Sequence, residues 1–122
     1  GEKVETSLFE SAIFNMGMMI QASNYEGIAQ QYPIDVRKGV NPFNGAFETK
    51  DGRFIQFCMP DYNVYYKQFM KALGREDLVD NEDYFPILTC QAKGKTTEVY
   101  DIVTEQMKKK TAAEGRLSVS RA

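Results

Sequence analysis

One short stretch restricts this chain more than any other: Phe47-Glu48-Thr49-Lys50, then Asp51-Gly52, then Arg53-Phe54-Ile55-Gln56-Phe57. Asp-Gly supplies the positive φ angles of a type I′ turn, and both flanks are rich in strand formers, which predicts a β-hairpin over residues 46–59. Alternation puts Ile55, Phe57 and Met59 on one face and Phe54, Gln56 and Cys58 on the other. Apolar side chains on both predict that both faces are at least partly covered.

Helices are expected on either side of the hairpin. Ser7-Leu8-Phe9-Glu10 is a capping-box pattern, so a helix should begin near Leu8. Leu8, Ala12, Met16 and Met19 form one apolar stripe, and Phe9, Ile13, Met16 and Ile20 form another beside it. Together they exceed the ~100° stripe of an ordinary surface helix. Such a helix needs cover from two sides, one of them expected to be a further domain or a second subunit; the alternative is a central core helix. Helical character can continue over residues 24–31, and Pro33 ends it. Residues 33–45, with Gly39, Asn41, Pro42, Asn44 and Gly45, read as an irregular loop, long enough to suggest function.

After the hairpin, Asp61 is the expected N-cap of a second helix and Gly74 its C-terminal stop. Tyr65, Phe69 and Leu73 make its inward stripe, flanked by Tyr62 and Tyr66. This helical spacing favours core packing over a base-stacking platform. Short turns are expected at residues 77–78 and 81–84, before Pro86. A third helix over residues 97–110 should turn Val99, Ile102, Val103 and Met107 inward, and residues 115–122 show no pattern and should fray. The sum is an α+β domain: a long N-terminal helix, a small antiparallel sheet built on the hairpin, and two further helices.

Composition excludes more function than it suggests. The chain lacks histidine and has two cysteines, Cys58 and Cys90, without CxxC spacing. A zinc site or a histidine-based nucleophile relay cannot be built from these residues, and no metal or cofactor is expected. Both cysteines are expected reduced, Cys58 as a small hydrophobe within a strand, in a cytoplasmic protein. A sequence pI of about 5.2 argues against nucleic acid, and Lys108-Lys109-Lys110 reads as the solvated end of a helix. No apolar run approaches the ~20 residues of a membrane span. Gly94-Lys95-Thr96-Thr97 resembles the end of a phosphate loop, but the glycine required five residues earlier is Thr89, so Thr96 or Thr97 is read as a helix N-cap. Glu76/Asp77 and Glu82/Asp83 lie in turn-like acidic stretches and read as solvated surface. The opening Gly1-Glu2-Lys3-Val4, without an initiator methionine, suggests a piece of a longer protein.

Four segments nevertheless resemble, in order, the family III CoA-transferases, the family that includes carnitine dehydratase and bile-acid-inducible protein F. Gly1 to Ala12 is similar to a "G-x-x-V-x-x-S-L" segment, and Asn41-Pro42-Phe43 with Lys50-Asp51-Gly52-Arg53-Phe54-Ile55 to "N-P-x…T-K-D-G-x-x-I". Ala72 to Leu78 matches "A-L-G-R-x-D-L", and Lys110-Thr111-Ala112-Ala113-Glu114 resembles "K-T-x-x-E-W". Met18 to Ala22 and Cys58-Met59-Pro60 most resemble the branch acting on aryl-lactates and 2-hydroxyisocaproate.

The resemblance implies a whole enzyme with a large Rossmann-like CoA-binding domain, a smaller inserted domain and two interlocked subunits. An aspartate of the large domain would attack the acyl-CoA thioester and then carry CoA to a carboxylic acid. It would lie upstream of the first motif, so no catalytic residue is expected within this chain. Residues 1–32 would link to the large domain, 33–114 would form the small domain, and 115–122 would be a disordered or foreign tail. Gly39, Val40, Asn41 and Pro42 map to the loop that approaches the thioester, without the glycine run of some members. Gly115 stands where the family has tryptophan. A racemase of the same family and a stand-alone binding or dimerisation module are the alternatives.

Overall fold

The structure is a computed structural model that describes residues 1–26 and 35–120, excluding the side chains of 22, 25, 26 and 117–120. The chain divides into two compact units, residues 1–33 and 34–122.

In the first unit, Ser7 caps α1 (Leu8–Asn15): its hydroxyl oxygen accepts from the Glu10 N–H at 3.1 Å and donates to the Glu10 carboxylate at 3.0 Å. The single long helix expected is instead two. α2 (Gly17–Glu26) begins after Met16, whose φ of −87° and ψ of 3° leave the helical register. Gly17 stands at this break, and glycine costs about 1 kcal/mol relative to alanine inside a helix. The remainder of the expected helical stretch lies outside the described residues. No residue of α1 is buried; Leu8 is 93% exposed and Phe14 86%.

The second unit is built around the hairpin. β1 (Gly45–Glu48) pairs antiparallel with β2 (Phe54–Phe57), setting Phe47 opposite Ile55. The turn corrects the expected type I′ geometry: Gly52 has a φ of +71°, and no non-glycine residue described has a positive φ. Thr49 donates its N–H to Arg53 O (2.8 Å) and accepts from the Gly52 N–H (2.9 Å), the pattern of a three-residue loop with glycine in its left-handed position. Only one sheet face is covered. Ile55, Phe57 and Met59 are buried, whereas Phe54 is 66% exposed and Cys58 lies exposed just past the strand.

α3 (Tyr62–Leu73) follows, capped by Asp61, whose carboxylate accepts from the Asn63 and Val64 N–H groups, and stopped by Gly74 at φ +81°. Its buried stripe is Tyr62, Tyr66, Phe69, Met70 and Leu73; Tyr65 points outward at 41% exposure. Both tyrosine phases fit a helical period, and Phe43 decides between them. This fully buried ring stacks on Tyr62 at 4.4 Å and meets Phe69 edge-on at 4.7 Å.

A 3-10 turn (Glu76–Leu78) and two helices complete the path: α4 (Ile87–Ala92), which the sequence did not suggest, and α5 (Thr96–Lys108). Val99, Val103 and Met107 of α5 are buried as expected, with Ile102 at the edge of the core. Gly94, at φ +66°, stops α4, and neither Thr96 nor Thr97 caps α5: the N-cap is Lys95, whose side chain makes no capping bond. From Ala112 the backbone forms α6 (Ala112–Ser120) rather than a frayed tail, with Gly115 buried against Ile55 and Met107.

Three phenols tie this core together. Tyr62 donates to Tyr84 O at 2.8 Å, Tyr66 to Leu78 O at 2.7 Å, and Tyr84 to the Glu98 carboxylate at 2.7 Å. Burial pushes all three pKa values up, that of Tyr84 to about 12 with help from its bond to Glu98. Unfolded tyrosine ionises near 10. The neutral phenols therefore stabilise the fold fully below the unfolded pKa, and this contribution is lost as pH rises from there through the folded values. Alkaline titration should unfold the chain with a midpoint above about pH 10, with phenolate absorbance from these tyrosines rising together with the loss of helical dichroism. Complete tyrosine ionisation with helicity retained would contradict this.

Candidate functional site

Residues 35–44 are the described part of the loop expected over 33–45, its first two positions lying outside the described residues and its last, Gly45, opening β1. Its order comes from side chains that bond to distant partners. Asp35 starts it by accepting from the Arg37 N–H at 3.0 Å, which caps the 3-10 turn Val36–Lys38. The Arg37 guanidinium forks onto Asp101 of α5, with N···O distances of 2.8 and 2.5 Å. This planar pairing raises the Arg37 pKa further and suits arginine alone among the cations.

At the other end, two asparagines clasp one residue. Asn41 Nδ2 donates to Met59 O at 2.8 Å, and Asn44 Oδ1 accepts from the Met59 N–H at 2.7 Å. Asn41 Oδ1 also accepts from the Phe43 N–H at 3.0 Å, holding Phe43 in the core. Pro42 is fully buried beside it.

The four loop residues expected near the thioester therefore divide in two. Asn41 and Pro42 are anchors. Gly39 is partly buried with φ −60° and ψ 149°, a conformation open to any residue, and Val40 extends outward at 76% exposure. Gln91 Nε2 of α4 donates to Val40 O at 3.0 Å. Asn44 is named in the sequence only as one of the loop's turn formers and Gln91 not at all; no local pattern tells which backbone group either amide holds.

A second junction joins two of the four motifs. Asp51 of the hairpin turn accepts from the Thr49 hydroxyl at 2.6 Å and from the Ala112 N–H, the first of α6, at 3.0 Å. The Lys50 N–H donates to Lys110 O at 2.8 Å, while Glu114 accepts from the Thr111 N–H and hydroxyl, each at 2.8 Å. The Thr49 hydroxyl bond, then the Ala112 N–H, hold the Asp51 pKa below the usual carboxylate range. Motifs about sixty residues apart are thus one structural joint.

The acidic turns have no catalytic setting. Asp77 is held below the ordinary range by its fork with Arg75, and Asp83 by Lys93 at 2.6 Å. Cys90 is buried among the tyrosines, and burial pushes its thiol pKa up, which makes it a poor nucleophile. Open depressions lie along α1 and α2, one lined by Gly17, Ile20, Gln21 and Asn24. Among the described residues no cluster of acids and cysteines could hold a metal ion, and no helix is long and apolar enough to cross a membrane.

The fold and its loop thus describe an α+β domain with a braced loop and, among the described residues, no carboxylate or thiol set up for catalysis. The chain matches the family described as CoA-transferase family III over residues 1–121, and it belongs to that family. Among its relatives is the cinnamoyl-CoA:phenyllactate CoA-transferase of Clostridium sporogenes, 46% identical over 114 residues. The (R)-2-hydroxy-4-methylpentanoate CoA-transferase of Clostridioides difficile is 32% identical over the same length. Each alignment covers 93% of this chain and 27% of the relative, so the chain spans about a quarter of the relatives' length. No solved structure matches.

Proposed function

We propose that this chain is the small-domain part of an enzyme that transfers coenzyme A between an acyl-CoA and a carboxylic acid, the acid being a 2-hydroxy acid with an apolar side chain. The observation that carries this reading is the 46% identity to a phenyllactate CoA-transferase across nearly the whole chain. Both named relatives are CoA-transferases, which favours transfer over the racemase alternative.

In this reading residues 33–120 are the smaller domain, extended through α6, and α1 with α2 link it to the large domain. The exposed faces of Leu8, Phe9, Phe14 and Met18 support cover by the large domain or a second subunit. The reactive aspartate belongs to the large domain. Its carboxylate attacks the thioester carbonyl, giving a mixed anhydride and free CoA thiolate. The thiolate then attacks the aspartyl carbonyl and releases the donor acid, leaving an aspartyl-CoA thioester. The acceptor carboxylate reverses these steps: it displaces CoA to form a new anhydride, whose acyl carbon the thiolate attacks. A thioester is exchanged for a thioester, so one difficult step becomes several easier ones. The loop around Gly39 and Val40 would border the thioester.

Residues 1–122 alone, mixed with cinnamoyl-CoA and phenyllactate, should give no phenyllactyl-CoA by chromatography. The complete enzyme should exchange them and yield an aspartyl adduct with hydroxylamine. Turnover by the 122-residue chain, or no exchange by the complete enzyme, would overturn the proposal.

A further inference from the structure

The tip of the candidate loop is fixed from outside by one long side chain. The base is secured on one side by the Arg37–Asp101 fork and on the other by the two asparagines on Met59. Between them Gly39 closes back through its N–H to Val36 O at 3.3 Å, and Val40 projects outward. The bond from Gln91 Nε2 to Val40 O spans 51 positions of sequence and is the side-chain restraint on the tip among the described residues. It joins two exposed elements, and Val40 and Leu88, one turn before Gln91, stay 76% and 74% exposed. A contact that holds a peptide while burying little apolar surface adds little to stability. What it does define is the direction of the Val40 peptide.

We propose that Gln91 is a positioning residue for the CoA-transfer reaction, fixing the Val40 peptide so that the loop tip keeps one shape beside the thioester. This rests on the function proposed above. A loop edge displaced by an ångström at a reacting centre costs rate rather than fold, because near-attack geometry is lost while binding remains.

The test uses the complete enzyme and two variants. Gln91→Glu keeps the shape of the side chain, but its carboxylate cannot donate and faces the Val40 carbonyl with like polarity. It should lower kcat for cinnamoyl-CoA and phenyllactate about tenfold, with KM for the acyl-CoA within about twofold and the melting temperature within about 2 °C. Gln91→Lys restores a donor on a flexible stem and should keep at least roughly half of kcat. The inference is overturned by an unchanged kcat in Gln91→Glu, by equal losses in both variants, by a loss confined to KM, or by a loss that tracks the melting temperature. Unaltered exchange by Gln91→Glu beside an active wild type removes this inference alone. An inactive wild type removes it together with the proposed function.

Discussion

Phe43→Ala should lower the stability of this chain by about 3–5 kcal/mol, the range for a large buried aromatic ring replaced by a methyl group. Phe43 is fully buried, stacked on Tyr62 and edge-on to Phe69. It is also the point at which the candidate loop enters the core, directly after Asn41 and Pro42. A domain of this size has roughly 5–13 kcal/mol of stability in total, so this one substitution removes a large share. Urea unfolding followed by circular dichroism should show a lower midpoint with little change in slope. Phe54→Ala is the matched control: same residue type, 66% exposed, and an expected effect within about 0.5 kcal/mol. Near-equal effects of the two substitutions would mean that Phe43 does not anchor the loop.

How much of this was readable in the sequence follows from how local each cause is. The Ser7 and Asp61 caps, the Gly74 stop and the hairpin depend on residues within a few positions, and each lies where local chemistry puts it. The inward face of α3 was misjudged at Tyr65, because aromatic residues surround that helix and its phase was settled by Phe43, nearly twenty positions earlier. α6 escaped detection because Gly115 and the serines weaken its pattern. Its first N–H is held by Asp51, 61 residues away in sequence.

The candidate site shows the same division. The Asn-Pro pair was legible as a turn signal and as a family motif, yet neither reading says what Asn41 does. That required seeing both asparagines on the two sides of Met59, an arrangement that spacing alone does not encode. The family motifs around Asp51 and Lys110 acquire a physical cause in the same way. They meet through Lys50 N–H to Lys110 O and Asp51 to Ala112 N–H, so a change in one turn disturbs the other.

Asn41→Ala should cost about 1–3 kcal/mol, since it leaves the Met59 carbonyl and the Phe43 N–H without their partner in a partly buried setting. Asn44→Ala removes the acceptor for the Met59 N–H and should cost a similar amount. The two act on one residue, so their effects should not add; a coupling energy of about 0.5–3 kcal/mol is expected from the double-mutant cycle. Gly39→Ala provides the contrast two residues away. Its φ of −60° suits any side chain, and a new Cβ would come no nearer than 3.5 Å to the Val36 carbonyl oxygen. It should shift stability by no more than about 0.5 kcal/mol. In the complete enzyme the order reverses if the tip borders the thioester: a methyl group on Gly39 crowds the reacting atoms while the clasp and fold stay intact. Strictly additive asparagine losses would mean that they do not hold Met59 as a pair, and full activity in Gly39→Ala would place the reacting thioester away from this edge.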